Sequence, residues 1–469
     1  MIMKTISSIF LIVLMIAGLA GCERYVSGYD TNPLAPQSAD ASKVFVDAQL
    51  GYVMFTEGFC SQVAAMWTDQ LRGVKLQFTA YNGYTISEGE FKTDWSLAYA
   101  STLKNLRLVQ SAGDASQGLR GAAGILEGHH MANVAAMWGD VPYSEAIQVA
   151  TNTTPHFDKQ EAVYTQALAT IDRGIADLTA KAGVVFQDAF SYNGNVAQWA
   201  KFAHSAKARY LMHLARAKGS VSSYDVATLN SVITEANQGI LATNGVDDLL
   251  FLHGSTWHGN MNLWHSFGVW DRSGNTNVAG AFVVTMLKNR QWDGKSSETG
   301  RLAYYFNAAG TDLNYTKGGA YDAGASYPGF RASETRLLLA EAYARLGNTA
   351  SALTELNAAR TYNNAIFGNA SAAFVAADFP TPAALLQAIL NEEYLALMHQ
   401  MEVFSLLRRI DYKITYRDQS GAVYSLQPKR GTVFPYRFLY SADEVTANTN
   451  TPAEALGVLD QFTRTWANR

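Results

Sequence analysis

Apolar residues recur every three to four positions along most of the chain, which is the spacing of helices that bury one face. Segments with this spacing cover residues 42–67, 91–110, 119–137, 159–180, 196–217 and 224–239. No segment of appreciable length alternates apolar and polar residues as a half-buried strand does. The pattern therefore predicts a mainly α-helical fold.

A helical hairpin is the clearest feature of the C-terminal third. Residues 332–346 carry a stripe of leucines and alanines, Gly347 ends this segment, and a second helical segment covers residues 349–362. Glycine commonly ends a helix, and small alanines allow two helices to cross closely. Two helices in about 30 residues are typical of a tetratricopeptide-like unit. The sequence thus predicts a helical-repeat superhelix.

A long helix is predicted to follow this hairpin. Thr381 is a suitable N-cap, and Pro382 fits the first helical turn. The apolar spacing continues to about Arg408, where we expect the helix to end.

Three long segments interrupt the helical pattern and are rich in Gly, Asn, Tyr and Trp. They cover residues 244–277, 291–330 and 415–451. Ordered loops of this length in a compact domain are more often functional surface than filler. The predicted architecture is therefore a helical repeat with long irregular ligand-binding loops.

The first 22 residues have the features of a secretory signal followed by a lipidated cysteine. One lysine, an apolar run at residues 6–16 too short to span a bilayer, and small residues precede Cys22. Leu-Ala-Gly-Cys at residues 19–22 resembles a bacterial lipobox, although a chance cysteine after an ordinary signal peptide is the alternative. We predict a signal peptide at residues 1–21, a lipid-anchored tether at 22–40 and a single α-helical domain at 41–469.

Charge and cysteine content narrow the function further. The 36 basic and 40 acidic residues give a formal charge of −4 without a basic stripe, so a nucleic-acid partner is not expected. Besides Cys22, the only other cysteine is Cys60, which lies in an apolar helical segment and is expected to be an inert core thiol. No disulfide is predicted.

Motifs for catalysis or resident cofactors are missing from the sequence. It contains no His-Glu-x-x-His, no paired Cys-x-x-Cys, no Gly-x-Ser-x-Gly and no phosphate-binding loop. We therefore predict no enzyme activity, no cofactor and no metal site. The carboxylate pair of a glycosidase leaves no motif, so a glycan hydrolase remains an alternative.

Histidines and one acidic loop are the remaining metal candidates. His129 and His130 are adjacent on a predicted helix and point about 100° apart, which disfavours a shared ion. His253, His258 and His265 are expected to bond to a ligand or to loop backbone and not to zinc. Residues 271–277 alternate oxygen donors but lack the closing glutamate of an EF-hand, which leaves loop calcium as a candidate.

Tryptophan is concentrated in one region. Four of the nine tryptophans, Trp257, Trp264, Trp270 and Trp292, fall within 36 residues and alternate with Asn, His, Asp and Arg. A sugar presents apolar C–H faces and a belt of hydroxyls, which flat rings and planar polar groups bind well. We predict that these tryptophans bind ligand. The alternative is that the rings close a small core beneath the loop.

Two further aromatic loops are candidates for the same groove. Residues 72–84 carry Arg72, Tyr81 and Tyr84, and Tyr321 lies in the loop between residues 291 and 330. All four are added to the predicted ligand-binding residues. By contrast, Trp95, Trp138 and Trp199 fall in helical patterns and are expected in the core.

Several short motifs carry a family resemblance. Gly-Asp-Val-Pro-Tyr-Ser-Glu-Ala at residues 139–146 is similar to the Gly-Asp-x-Pro-Tyr-x-x-Ala signature of SusD/RagB-type outer-membrane nutrient-binding lipoproteins. In family order, the chain also has an Asn-Pro segment at 32–33, the hairpin at 331–360, a Glu-rich helix ending in Leu-x-Arg-Arg at 391–409, and a closing segment at 435–448. The chain resembles this family over most of its length. Residues 398–402 depart from it, because Met-His-Gln-Met-Glu stands where the family often has Glu-Gly-Arg.

This resemblance implies both a fold and a role. The fold is a superhelix of four tetratricopeptide-like units with irregular loops on the ligand face. The role is to bind a nutrient oligosaccharide at the cell surface and deliver it to a TonB-dependent, SusC-like transporter of the outer membrane. Oligopeptide capture is the alternative within the family, and a repeat scaffold without a small ligand is another. The shared motifs themselves are expected to serve folding.

Overall fold

The computed structural model describes residues 39–148, 150–180, 186–452 and 461–468. One compact unit runs from Ala41 to Arg469. The predicted signal peptide and Cys22 lie outside the described residues.

The described chain is mainly helical, as predicted. In chain order its helices are α1 (Ala41–Glu57), α2 (Phe59–Trp67), α3 (Gln77–Asn82), α4 (Lys92–Ser96), α5 (Lys104–Ser111), α6 (Gln117–Trp138), α7 (Gln160–Thr179), α8 (Val196–Lys218), α9 (Val226–Ala236), α10 (Leu263–His265), α11 (Phe282–Asn289), α12 (Thr299–Tyr305), α13 (Ala332–Arg345), α14 (Thr349–Phe367), α15 (Pro382–Ala396), α16 (Glu402–Arg409) and α17 (Ala442–Ala447). π-Helical turns cover Leu97–Leu103 and Ser266–Asp271.

Short strands supplement the helices. They are β1 (Arg72–Gly73), β2 (Leu249–Phe251), β3 (Thr276–Asn277), β4 (Tyr327–Phe330), β5 (Thr415–Arg417) and β6 (Val423–Ser425). Within the described ranges they form three antiparallel two-stranded sheets, β1 with β3, β2 with β4 and β5 with β6. None exceeds four residues, so none was long enough to show an alternating pattern.

Four helix pairs form the scaffold of the described part of the chain. Helix α1 packs on the segment from Leu97 to Ser111, α6 on α7, α8 on α9, and α13 on α14. The predicted hairpin is thus confirmed, with Gly347 at a φ of +79° between its helices. This arrangement agrees with the predicted tetratricopeptide-like repeat.

Glycines set the distance between α6 and α7. A Cβ atom at Gly121 would lie 2.5 Å from the backbone nitrogen of Leu178, and one at Gly128 would lie 2.4 Å from the carbonyl oxygen of Ala167. Real Cβ atoms do not approach backbone atoms so closely. The two helices therefore pack backbone against backbone, which any larger residue at these positions would prevent.

Two predicted helices are interrupted in the structure. The segment predicted at residues 42–67 breaks at Gly58, between α1 and α2. The helix predicted from Pro382 to Arg408 breaks between α15 and α16, where His399 has a φ of +57°. The break is fixed by Gln70, whose side-chain oxygen accepts from the His399 backbone N–H at 2.7 Å. A tertiary bond of this kind cannot be read from helical periodicity.

The signature at residues 139–146 links α6 to α7. Gly139, with a φ of +93°, ends α6 in a conformation that favours glycine. Asp140 Oδ1 then accepts from the backbone N–H of Gln160, at the first residue of α7. The motif serves the turn between two scaffold helices.

The Arg-Arg pair at the end of α16 is buried and also structural. Arg408 donates to the carbonyl oxygens of Ala136 and Tyr436 at 2.8 and 2.9 Å. Arg409 pairs with Glu341 at 2.5 Å and Glu393 at 3.1 Å. Buried charges of this kind require such partners.

The predicted core positions are confirmed. Trp95, Trp138 and Trp199 are buried, and so is Cys60. Burial raises the pKa of the Cys60 thiol, which keeps it protonated and unreactive. In the described ranges, no helix has both the length and the apolar character needed to cross a membrane.

Candidate functional site

Two of the predicted aromatic loops meet in the folded chain. Strand β1 pairs with β3, so that Arg72 lies opposite Asn277 and Gly73 opposite Thr276. Beyond β1, the Val74 backbone N–H donates to the Asn275 carbonyl oxygen at 2.8 Å. We call residues 72–84 the first loop and residues 253–277 the second loop. Their contact places both on one surface.

The second loop is held by the end of α1. Glu57 is buried, and its Oε1 accepts from the Leu263 backbone N–H at 2.8 Å. His253 Nε2 donates to Glu57 Oε2 at 2.8 Å. One carboxylate thus fixes the loop at two points ten residues apart, so the aromatic residues between and after them are carried on an ordered segment.

A cavity of about 400 Å³ opens between the two loops and α2. This size falls within the ~300–1,000 Å³ typical of ligand pockets. Its inner surface is formed by Phe59, Gln62, Phe78, Tyr81 and Phe267. Its rim is formed by exposed polar side chains, namely Gln77, Glu90, Asp271 and Arg272. We call this cavity the interloop pocket.

The polar groups inside the interloop pocket differ in how they are bound. Gln62 is only 5% exposed, and its side-chain amide has no hydrogen-bond partner among the described residues. Tyr81 is also buried, and its carbonyl oxygen is held by Trp67 Nε1 at 3.0 Å. Burial, and then a hydrogen bond to Glu90, raise the pKa of the Tyr81 hydroxyl. The pocket therefore offers one free amide and one neutral hydroxyl beside aromatic rings.

Trp257 and Trp270 are the exposed tryptophans of the second loop. Trp270 is 63% exposed and immediately precedes Asp271 of the pocket rim. Its ring meets the edge of His258, with centroids 6.2 Å apart. Trp257 is 68% exposed, and its ring covers Gly259, where a Cβ would come within 2.6 Å of it. Both rings have a free face, and ligand binding by them stays a prediction.

Trp264 and Tyr321 require a correction, because neither has an accessible ring face. Tyr84 is also buried but lines a cavity outside the interloop pocket, so a ligand role for Tyr84 stays a prediction. Trp264 is 0% exposed and packs against His399, with ring centroids 4.8 Å apart. Tyr321 hydrogen-bonds to His399 Nδ1, and Tyr84 accepts from the Lys429 backbone N–H. For Trp264, the alternative prediction is therefore the better one: its ring closes a small core beneath the loop and does not stack on a ligand.

Arg72 has a structural role, and Trp292 is not described in enough detail to locate its ring. Arg72 donates to Asp69 Oδ1 and to the Ala279 carbonyl oxygen, both at 3.1 Å, so it fastens the first loop to the segment after β3. Trp292 lies in the 3₁₀ turn Arg290–Asp293, and its side chain lies outside what the structure describes. A ligand role for Trp292 stays a prediction.

The remaining histidines are used within the protein. His265 Nδ1 bonds to the Tyr321 carbonyl oxygen at 2.8 Å, as expected for loop backbone, whereas His253 bonds to Glu57. His129 and His130 are fully buried, and burial lowers the pKa of both. Among the described residues, no three His, Cys, Asp or Glu side chains gather as a metal site would need. Calcium binding by residues 271–277 stays a prediction.

Comparisons with known proteins now identify the family. The profile of the SusD-like family, described as "Starch-binding associating with outer membrane", matches residues 35–379, about three quarters of the sequence. The chain belongs to the SusD-like family. This confirms the resemblance drawn from the motifs. Among curated protein sequences, none matches this SusD-like chain.

Solved structures share the whole fold. A SusD/RagB family protein from Bacteroides thetaiotaomicron superposes with a TM-score of 0.68 at 21% identity, covering 92% of this chain and 99% of that one. A chitin-binding SusD homologue from Flavobacterium johnsoniae gives a TM-score of 0.66 at 17% identity, with the same coverage. A SusD homologue from Bacteroides ovatus gives 0.66 at 18% identity, again covering 92% and 99%. These likenesses establish the SusD-like fold.

A second cavity of about 470 Å³ lies beside Tyr84 of the SusD-like chain. Two of its polar side chains are bound within the protein: Arg430 Nη1 donates to Thr85 Oγ1 at 2.9 Å, and Gln461 Nε2 donates to the Tyr84 carbonyl oxygen at 2.6 Å. The interloop pocket, with its free amide, is therefore the better candidate site.

Sequence reasoning missed several pocket residues of this SusD-like chain. Phe59 and Gln62 lie within the helical segment predicted at residues 42–67, and Glu90 immediately precedes the one predicted at 91–110. Phe267 lies among the more conspicuous tryptophans of the second loop. A glutamine inside the apolar stretch of residues 59–67 was the one signal available, because buried glutamine is uncommon.

Proposed function

We propose that this SusD-like protein binds a nutrient oligosaccharide in the interloop pocket. The observation that carries the proposal is the pocket itself, in which aromatic rings and an unpartnered amide lie together, with the exposed Trp270 next in sequence to Asp271 of its rim. Sugars need apolar surface for their ring faces and polar partners for their hydroxyls. The family description and the chitin-binding homologue support a carbohydrate ligand.

The protein acts from the cell surface, held to the outer membrane by a lipid on Cys22. It delivers the bound oligosaccharide to a TonB-dependent, SusC-like transporter. The lipobox-like Leu-Ala-Gly-Cys and the family's description as associated with the outer membrane support this part of the proposal.

Binding proceeds without chemical change to the ligand. Of the two carboxylates at the pocket, Glu90 is engaged by the Tyr81 hydroxyl, and Asp271 lies 3.6 Å from His258. A glycan hydrolase needs one free carboxylic acid and one carboxylate facing the same glycosidic bond. The hydrogen bond of Glu90 to Tyr81 and the missing catalytic motifs favour a binding role over hydrolysis.

A binding screen tests the proposal. The purified protein is titrated against panels of oligosaccharides and oligopeptides, and its best ligand is then incubated with it overnight. We expect an oligosaccharide to bind and to be recovered at its original length. Shortened products would indicate a hydrolase, and binding of peptides alone would favour oligopeptide capture.

A further inference from the structure

The unpartnered amide of Gln62 is the most informative group in the interloop pocket. Buried polar side chains almost always have a hydrogen-bond partner in the protein or in ordered water. Gln62 lies on α2, is 5% exposed and lines the pocket, and among the described residues nothing hydrogen-bonds to its side-chain amide. A primary amide supplies a donor and an acceptor side by side. It is therefore complementary to a ligand group that carries an acceptor and a donor of its own.

The surroundings of Gln62 are apolar. Phe78 and Phe267 meet edge to face with centroids 5.3 Å apart, and Phe59 meets Tyr81 in the same manner at 5.8 Å. A ligand group that fits here needs apolar surface next to its polar atoms. A hydroxyl alone has no such surface, and an ammonium ion would lose its hydration against these rings.

We propose that the interloop pocket recognises the acetamido group of an N-acetylated hexosamine, an inference that rests on the proposed function. The acetamido N–H and C=O pair with the Gln62 amide, and its methyl group lies against Phe78 and Phe267. Burial and a hydrogen bond to Glu90 raise the pKa of the Tyr81 hydroxyl, and Gln62 is the amide among the inner residues of the pocket.

The charges of the rim oppose an anionic ligand. Glu90 and Asp271 place two carboxylates there against the single guanidinium of Arg272. This balance gives an anionic uronic acid no net attraction.

Three matched tetrasaccharides test the inference. Chitotetraose, cellotetraose and fully deacetylated chitotetraose share one linkage and differ at C2, which bears an acetamido group, a hydroxyl or an ammonium. Each is titrated calorimetrically into the purified full-length protein in detergent. We expect chitotetraose to bind at least tenfold more tightly than either of the others.

The variant Gln62→Leu then tests whether Gln62 causes the preference for the acetamido group. Gln62→Leu should weaken chitotetraose binding about fivefold, which corresponds to ~1 kcal/mol, the net value of one hydrogen bond. Cellotetraose binding should be unchanged, and the melting temperature should stay the same or rise, because no protein hydrogen bond is lost. Gln238→Leu, at an exposed glutamine of the connection after α9, is the matched control and should change neither.

The outcomes separate this inference from the proposed function. Equal affinity for chitotetraose and cellotetraose, or a Gln62→Leu variant that binds chitotetraose normally, overturns the inference and leaves oligosaccharide capture standing. If none of the three tetrasaccharides binds but another glycan does, the inference is likewise overturned and oligosaccharide capture stands. Binding of tetra-alanine, whose amides also fit Gln62, without binding of any glycan overturns both.

Discussion

The rings of Phe78 and Phe267 meet edge to face, with centroids 5.3 Å apart, although they belong to loops far apart in the chain. This contact joins the first loop to the second and closes the floor of the interloop pocket. The candidate ligand site of this SusD-like protein is thus a product of tertiary structure, because neither loop forms the pocket alone.

Close packing beneath the first loop can be tested at Gly73. A Cβ there would lie 1.9 Å from the Phe78 carbonyl oxygen, so Gly73→Ala must displace the loop. We expect ligand affinity to fall at least tenfold and tryptic cleavage after Lys75 to accelerate. Gly83→Ala is the matched control, because its nearest neighbour would be 3.5 Å away. Equal behaviour of the two variants would show that the loop does not shape the site.

The tryptophans of the second loop should separate into two classes. Trp264→Ala empties a fully buried position and should cost about 3–5 kcal/mol of stability. Trp270→Ala removes an exposed ring and should leave melting nearly unchanged, while weakening binding by about 1–3 kcal/mol if stacking on sugars resembles stacking on bases. Thermal melting and ligand titration on both variants check this. If Trp270→Ala melts at a much lower temperature but binds ligand normally, Trp270 is a core residue and not a ligand-binding one.

Acid should destabilise the fold through His130. Burial lowers its pKa to about 4, whereas an unfolded histidine has a pKa of about 6.5. Between these values the unfolded chain binds a proton that the folded chain does not, so stability falls as the pH falls from 6.5 to 4. From pH 6.5 to 5 the loss is about 2 kcal/mol, at ~1.4 kcal/mol for each unit.

Urea unfolding at pH 7 and pH 5 measures this contribution. His130→Gln retains a donor for the Ala98 carbonyl oxygen but does not titrate, so wild type should lose about 2 kcal/mol more than the variant on acidification. Asp94 and Asp248, whose pKa burial raises to about 6, act in the opposite direction and cancel in the comparison. Parallel losses in the two proteins would contradict a neutral buried His130.

Lipid attachment is tested at Cys22. Cys22→Ala should release the protein from membranes while leaving its melting temperature unchanged, because we expect the lipid to be attached outside the folded unit. The measurement is membrane fractionation in a strain that lacks the proposed SusC-like transporter, which removes attachment through that partner. Membrane association of the variant in that strain would exclude the lipobox interpretation.

Helical periodicity predicted the scaffold well, since the predicted hairpin and the buried Trp138 follow from local spacing. It missed the break at His399, because a hydrogen bond to Gln70 sets it. The candidate site was predicted only as a region. Tryptophan density indicated the second loop, but burial of Trp264 and the free amide of Gln62 depend on contacts between distant segments.

Hydrogen–deuterium exchange, with and without the best oligosaccharide from the screen, tests the central claim most directly because it needs no substitution. The interloop pocket predicts that ligand slows exchange in the first and second loops together, at residues 72–84 and 253–277. Protection confined to residues 430–433, beside the second cavity, or spread over the helical scaffold without either loop, would contradict it.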